Sequence, residues 1–197
     1  MLWNHDHKLA FCHTPRTGGT ALREAFFVPG KGTLEFEHAG YKHFSWKELD
    51  RKIQDRIRNY TIICVHRDLY DRMISMYQHW ILRPGRAHYH RCEFEEWITS
   101  TRYNIYPREH RLPQSHYCDG LPKQTIYIPF ANLGGAWDYL RNNVSKSLQF
   151  QLKSRINPST EYVLRSRVLT PVAVQWINQH HAEDFDRFGY KKLDAPE

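Results

Sequence analysis

The sequence predicts an α/β fold in which helices cover both faces of a central parallel sheet. Three short apolar runs are the predicted strands: Lys8–His13, Thr61–His66 and Thr125–Phe130. The second run, TIICVH, is rich in β-branched residues, as strands buried within parallel sheets are. Each run precedes a segment with helical spacing of apolar side chains. This alternation of strands and helices is the pattern of a parallel, three-layer sheet.

The helices predicted after these strands follow from the spacing of apolar residues. After the first strand, one helical face holds Leu22, Ala25 and Phe26. After the second strand, apolar residues recur at helical spacing in Met73, Ile74, Tyr77 and Ile81. A third helix is expected near Leu133–Leu140, after the third strand.

The rest of the chain contains a long basic segment and a final helix. Residues 83–118 are predicted to be mostly irregular, with a short helix around Phe94, Trp97 and Ile98. A loop of this length in a compact domain is usually functional or disordered. Residues 170–188 are predicted to form one amphipathic helix whose inward side chains are Val172, Trp176 and Ile177.

Composition limits the classes of protein to consider. A chain of 197 residues that is 41% hydrophobic fits a single domain over residues 1–197. Its formal charge of +7 predicts a surface that attracts nucleotides, acidic sugars or nucleic acid. No signal peptide is visible and no run approaches the ~20 apolar residues of a membrane helix, so we expect a cytoplasmic protein. Cys12 and Cys64 lie in predicted strands, where free thiols behave as small hydrophobic groups.

The turn TPRTGGT, residues 14–20, follows the first strand and has the features of an anion site. Gly18 and Gly19 let the backbone approach an oxyanion, and the amides at the start of the next helix favour negative charge. Thr17 and Thr20 offer hydroxyls, while Arg16 adds a permanent charge. The same residues also fit an ordinary turn in which a threonine caps the helix. The turn is not a Walker A loop, since Gly19 stands where that motif requires lysine.

Two motifs in order resemble the sulfotransferase superfamily that uses 3′-phosphoadenosine 5′-phosphosulfate (PAPS). They are TPRTGGT after the first strand and HRDLYDRMISMYQHW after the second. The resemblance implies a P-loop-like three-layer fold and a 3′-phosphate site at Arg67 and Ser75. It also implies that the 5′-phosphosulfate is bound by the turn residues Pro15, Arg16, Thr17, Gly18, Gly19 and Thr20.

Four later segments are similar to the carbohydrate branch of that superfamily, which contains the heparan sulfate 2-O-sulfotransferase-like enzymes. They are LPQSHYCDG, IPFANL, INPS and DFDRFGY, in that order. The resemblance implies a hydroxyl acceptor on an acidic or neutral glycan. Two positions depart from the pattern: Arg16 replaces the usual lysine, and Leu69 replaces the usual proline.

The position of Arg67 agrees with this assignment without reference to the family. Arg67 directly follows a predicted strand, and α/β folds bind ligands at the carboxyl edge of the sheet. In the alternative interpretation Arg67 pairs with Asp68 or Asp71, and Ser75 is a helix residue without a binding role.

Sulfuryl transfer needs a base for the proton of the acceptor hydroxyl. The carbohydrate branch carries a catalytic histidine between the two motifs, within the interval EFEHAGYKHFSW of this chain. His43, which precedes Phe44, is the first choice, followed by His38 and then Glu37. Arg16 would add positive charge near the leaving phosphate.

The basic segment permits several interpretations. In one interpretation its arginines and aromatic residues bind an acidic glycan. In another, the arginines are solvated and pair with nearby glutamates. The arginines are Arg83, Arg86, Arg91, Arg102, Arg108 and Arg111. Zinc ligation by His88, His90, Cys92, His116 and Cys118 matches no common pattern, and a Cys92–Cys118 disulfide is open if the protein is exported. The family reaction requires no metal.

The sequence therefore predicts a sulfotransferase that moves a sulfuryl group from PAPS to a hydroxyl, with a carbohydrate as acceptor. One alternative is a module that binds PAPS or its product 3′-phosphoadenosine 5′-phosphate (PAP) without transfer. A basic nucleic-acid-binding protein is the other alternative, but no nucleic-acid-binding motif accompanies the charge. We expect neither a membrane nor a nucleic-acid partner, and the sequence leaves the oligomeric state open.

Overall fold

The computed structural model describes residues 1–28, 32–33, 35–38, 43–82, 92–100, 107–134, 149–150 and 165–194. Its strands are β1 (Leu2–Asn4), β2 (Leu9–Cys12), β3 (Phe26–Val28), β4 (Gly32–Thr33), β5 (Thr61–His66), β6 (Ile126–Pro129) and β7 (Gln149–Phe150). Its α-helices are α1 (Gly19–Ala25), α2 (Arg51–Ile57), α3 (Leu69–Tyr77), α4 (Phe94–Thr99), α5 (Arg108–Arg111), α6 (Gln114–Cys118), α7 (Arg165–Val168), α8 (Pro171–His180) and α9 (Ala182–Phe188). No described helix is long and apolar enough to cross a bilayer.

The main sheet has the strand order β1-β2-β5-β6. Strands β2, β5 and β6 are parallel, with Cys12 opposite Cys64 and Ile63 opposite Ile126. Strand β1 is antiparallel to β2, so the sheet is mixed. A tight turn at residues 5–8 makes β1 and β2 a hairpin, and antiparallel neighbours can be joined by such a short connection. The predicted α/β fold with parallel strands and flanking helices is confirmed.

A second sheet, of three strands, corrects one sequence prediction. Phe26 was expected on the first helix, but it begins β3, which pairs antiparallel with β4 and β7. The run FFV favours extended backbone because aromatic and β-branched residues fit a pleated surface. Phe26 is nevertheless completely buried, as its apolar character requires.

The chain forms two compact units, residues 1–66 with 116–156 and residues 67–115 with 157–197. The single-domain assignment over residues 1–197 remains a prediction. In the first unit, residues from helix α1 and strands β1, β2, β5 and β6 share one apolar cluster. Its buried members are Leu2, Leu9, Phe11, Leu22, Phe26, Ile63, Val65, Ile128 and Leu133.

The core of the second unit is built by helices α3, α4, α8 and α9. Ala173, Val174 and Ile177 are the buried residues of α8. Of the side chains predicted to point inward, Ile177 is buried and Trp176 is half-buried. The prediction for Val172 is wrong, because 49% of this residue is exposed.

The helix predicted over residues 170–188 is divided at His181. Its backbone, at φ −124 and ψ 26, ends α8 before α9 begins. This break accompanies the burial of His181 and Asp184, and the Asp184 carboxylate accepts hydrogen bonds from the amides of Gln114 and Ser115 at 2.7 Å each. Tertiary hydrogen bonding has therefore overridden a continuous helical pattern.

The segment predicted to be mostly irregular contains two further helices, α5 and α6, beside the predicted α4. Residues 83–91 and 101–106 lie outside the described residues, and so do residues 135–140 of the helix predicted near Leu133–Leu140. The second predicted helix forms α3, which ends at Tyr77. The chain then continues as a π-helix over Gln78–Leu82, which includes Ile81.

Candidate functional site

The turn between β2 and α1 has a left-handed backbone at two of its positions. Arg16 has φ 65 and Gly18 has φ 82. A non-glycine residue in this conformation costs about 1–2 kcal/mol, because its Cβ crowds the following carbonyl. Such strain is found where a site over-determines the backbone. Helix α1 has only seven residues, so anion binding here would depend on the turn more than on the helix.

Both glycines of the turn are required by space. A Cβ at Gly19 would lie 1.9 Å from Cδ2 of the His13 ring. A Cβ at Gly18 would lie 2.6 Å from Cε2 of Phe130, and its positive φ also disfavours a side chain. The turn is therefore packed directly against two aromatic rings, and His13 lies under the glycine that begins α1.

The two threonines of the turn occupy different environments. Thr17 is buried, and its hydroxyl donates a hydrogen bond to the carbonyl of Thr14 at 3.0 Å. This bond closes the turn on itself, so Thr17 supports the backbone in this structure. Thr20 is partly exposed at the second residue of α1. Pro15 is buried and Arg16 is half-buried.

His43, the first choice for the base, lies in the first unit against the residue that precedes the turn. Its Nδ1 is 2.6 Å from the carbonyl oxygen of His13, and the two imidazole rings stack with centroids 4.5 Å apart at 14°. A carbonyl only accepts hydrogen bonds, so Nδ1 of His43 carries the proton and donates it. In the neutral ring the lone pair is then on Nε2, the atom that a general base uses.

The other two candidates for the base lie in a different setting. His38 is exposed. The Glu37 carboxylate accepts a hydrogen bond from the indole of Trp3 at 3.1 Å and lies 3.5 Å from Nε2 of His5. Glu37 therefore belongs to the edge of the main sheet, where its backbone pairs with that of Trp3. His13, the residue before the turn, contacts His43, whereas the contacts described for Glu37 are with Trp3 and His5.

Arg67 and Ser75, predicted to bind the 3′-phosphate, both belong to the second unit. The Arg67 amide donates to Oε1 of Gln114 at 2.8 Å, and Nε2 of Gln114 donates to the Arg67 carbonyl at 2.8 Å. This pair of bonds fixes the Arg67 backbone. Ser75 lies on α3, two helical turns later, and is buried.

The carboxylates near Arg67 have several partners. Asp68 accepts from the Asp71 amide at 3.1 Å as the N-cap of α3. Arg165 contacts both carboxylates, at 3.4 Å for Asp68 and 3.2 Å for Asp71. Burial lowers the pKa of the Arg67 guanidinium, while the charges of Asp71 and Asp68 raise it. Both interpretations of Arg67, as a phosphate ligand and as a partner of these acids, remain open.

The structure thus brings the turn and His43 together within the first unit, through His13. It places Arg67 and Ser75 on the second unit, so their action on the same ligand as the turn remains a prediction. Of the predicted glycan-binding arginines, Arg108 and Arg111 are described, on α5, and the other four are not.

Sequence reasoning missed three residues that shape these regions. His13 supports both Gly19 and His43, and its place between the first strand and the turn was the available signal. Phe130 closes over Gly18, which no local pattern indicates. Arg72 is fully buried, and its guanidinium donates to the carbonyl of Leu112 at 3.0 Å.

The zinc and disulfide alternatives fall partly outside the described residues. His88 and His90 are not described. Cys92 and Cys118 are not joined by a disulfide and belong to different units. The partners of Cys118 in the structure are instead Cys12 and Cys64, with Sγ of Cys64 at 3.0 Å.

Comparison with known proteins identifies the family. A family model described as "Sulfotransferase family" matches residues 1–191, which is nearly the whole chain. No curated protein and no solved structure gives a significant match.

Proposed function

The chain belongs to the sulfotransferase family, and from this premise we propose that it transfers a sulfuryl group from PAPS to a hydroxyl group of a carbohydrate. The observation that carries the proposal is the hydrogen bond from Nδ1 of His43 to the His13 carbonyl, beside the glycine turn. It fixes the tautomer in which Nε2 is the proton acceptor.

In the proposed reaction the turn holds the 5′-phosphosulfate of the donor. Gly18 and Gly19 leave its backbone without side chains that would block an oxyanion. Arg16 contributes a charge that can pair with phosphate and sulfate oxygens in a bidentate manner. Arg67 and Ser75 bind the 3′-phosphate. This assignment rests on the motif resemblance and on the fixed backbone of Arg67.

The proposed transfer step needs no reactant other than PAPS and the acceptor. Nε2 of His43 removes the proton of the acceptor hydroxyl, whose oxygen forms a bond to sulfur. The bond between sulfur and the bridging phosphate oxygen breaks, and its electron pair leaves with PAP. Arg16 stabilises the charge that develops on that phosphate. Positioning and electrostatics provide most of the rate enhancement in transfers of this kind.

A carbohydrate acceptor is supported by the four segments that resemble the carbohydrate branch and by the formal charge of +7. A positive surface raises the local concentration of acidic glycans. A panel of sulfated, carboxylated and neutral oligosaccharides, tested with labelled PAPS, identifies the acceptor class. Labelling of protein or small phenols alone would contradict the carbohydrate assignment.

The test of the proposal separates binding from transfer. PAP at 100 times its Kd should stabilise the protein by about 2.7 kcal/mol, measured by thermal unfolding. His43→Ala should retain this shift and lose sulfuryl transfer by about 100- to 10,000-fold, the usual effect of removing a general base. His38→Ala is the matched control and should transfer at the wild-type rate.

Each alternative gives a different result. A PAP shift without transfer in the wild-type protein indicates a binding module. Stabilisation by DNA but not by PAP indicates a nucleic-acid-binding protein. Unchanged transfer in His43→Ala removes His43 from the mechanism, and a loss confined to His38→Ala makes His38 the base.

A further inference from the structure

Three cysteines of the first unit meet in its interior. Cys12 ends β2, Cys64 lies on β5, and Cys118 ends α6. Their Sγ atoms all lie within 4.8 Å of one another, and those of Cys64 and Cys118 are 3.0 Å apart. We call this group the thiol cluster. Nothing in the proposed transfer reaction uses it.

The thiol cluster is assembled by the sheet. Cys12 and Cys64 are directly opposite each other on neighbouring parallel strands. The residues are 4%, 0% and 1% exposed for Cys12, Cys64 and Cys118, so water has little access to the sulfurs. The fourth cysteine, Cys92, is only partly buried and belongs to the second unit.

A hydrogen bond to the backbone also holds the thiol cluster in place. The Cys12 thiol donates to the Tyr117 carbonyl at 3.1 Å, which fixes its sulfur beside those of Cys64 and Cys118. A cation bound among the three sulfurs would pair the negative charge of the thiolate ligands, and a buried charge is stable only when it is paired.

The dimensions of the thiol cluster suit one small soft ion. Three sulfurs bound to one ion at about 2.3 Å lie about 4 Å apart when the arrangement is trigonal. The sulfurs of Cys64 and Cys118 are 3.0 Å apart and no pair is separated by more than 4.8 Å, so shifts of about 1 Å suffice. Among the described residues no histidine, carboxylate or fourth cysteine joins the group. Structural zinc sites use four ligands, whereas soft thiolates also select monovalent copper, which needs no fourth ligand.

We propose that Cys12, Cys64 and Cys118 form a buried three-sulfur site for one monovalent, thiophilic metal ion of the Cu(I) class. Each thiol that becomes a ligand releases its proton to solvent, and the metal is neither oxidised nor reduced. Because Cys12 is separated from the glycine turn by only His13, a bound ion would stabilise the strand end that precedes the turn. The site lies outside the transfer reaction, for which no metal is expected.

The test is a titration of the full chain, reduced and under argon, with Cu(I) in competition with a chelator of known affinity. We expect one Cu(I) per chain, bound at least 100-fold more tightly by the wild type and Cys92→Ser than by Cys64→Ser and Cys118→Ser. Cys92→Ser is the matched control, since it removes a thiol without touching the thiol cluster. Cys64→Ala is measured in parallel, because a serine hydroxyl in a fully buried position can itself destabilise the protein.

A second readout does not depend on the folding of any variant. Thiol labelling of the wild type at increasing urea concentration should modify all four cysteines, and one equivalent of Ag(I) should delay the labelling of Cys12, Cys64 and Cys118 but not that of Cys92. Equal Cu(I) affinity in the wild type and Cys64→Ala would overturn the proposal. So would stoichiometric displacement of Cu(I) by Zn²⁺, or a Cys64–Cys118 disulfide found by mass spectrometry in the freshly purified protein.

Discussion

The glycine turn and the buried carboxylate of Asp184 show two ways in which this chain fixes a local structure. At the turn, Gly18 and Gly19 pack against the rings of Phe130 and His13 at distances that leave no room for a Cβ. Around Asp184 the shape is fixed by charge-assisted hydrogen bonds to backbone amides. Substitutions that add atoms should therefore destabilise the turn, whereas substitutions that remove atoms should destabilise the Asp184 region.

The largest expected effect on stability comes from Asp184→Ala. The amides of Gln114 and Ser115 lose their acceptor in a buried position, and each unsatisfied donor costs about 1–3 kcal/mol. We expect the free energy of unfolding to fall by about 3 kcal/mol in urea denaturation. Asp184→Asn keeps one acceptor oxygen and should cost less. Equal stability of the wild type and Asp184→Ala would show that the carboxylate does not hold this region.

The next largest expected effect is a dependence of stability on pH that arises at His181, close to Asp184 in the sequence. Burial lowers the pKa of His181 from 6.5 to about 4, and the charge of Arg72 acts in the same direction, whereas Asp184 opposes it. The unfolded state then binds more protons than the folded state between these values. The part of the unfolding free energy that depends on neutral His181 is fully present above pH 6.5 and is lost as the pH falls to about 4.

The check on this dependence is denaturation at a series of pH values. His181→Gln should flatten the curve between pH 6.5 and about 4 relative to the wild type. Substitution of the exposed His180 should change the slope much less, because its charge is the smallest of the causes that lower the pKa of His181. An unaltered slope in His181→Gln would assign the dependence to other groups.

Gly19→Ala tests whether an added side-chain atom destabilises the turn. Its Cβ would stand 1.9 Å from the His13 ring, and overpacking of this kind typically costs 1–3 kcal/mol. We expect a loss of about 2 kcal/mol in unfolding free energy, together with loss of the PAP thermal shift. Gly134→Ala is the control, because a Cβ there meets nothing within 4 Å. A Gly19→Ala protein that binds PAP normally would mean that the turn can open without loss of function.

Arg16→Gly is expected to have the smallest effect on stability and to separate stability from function. Glycine relieves the strain of φ 65, about 1–2 kcal/mol, but the unfolded chain gains entropy that offsets about half of it. We expect a gain of about 0.5–1 kcal/mol in unfolding free energy and a weaker PAP shift. Arg16→Lys should keep transfer activity, whereas Arg16→Ala should lose most of it. Full transfer in Arg16→Ala would remove the arginine from the mechanism.

The sequence predicted three of the described strands, β2, β5 and β6, their alternation with helices and the position of the turn, but not β1, β3, β4 or β7. β5 has the bounds predicted for it, and β2 and β6 are each shorter than predicted by one residue at each end. These features follow from local patterns: β-branched and apolar runs, helical spacing and paired glycines. Helix ends were less predictable. At Phe26 the β propensity of the run FFV ended the helix, and at His181 tertiary hydrogen bonds broke a continuous helical pattern.

By itself, the sequence determined the α/β class and the family, since both depend on the order of short motifs along the chain. Only the tertiary structure decided which residues support those motifs. In sequence, His13 lies 6 residues from Gly19, and Phe130 lies 112 residues from Gly18. Asp184 lies 70 residues from Gln114, and Cys118 lies 54 residues from Cys64. Contacts over the three long separations arise from the packing of strands and helices, for which a linear pattern carries no signal.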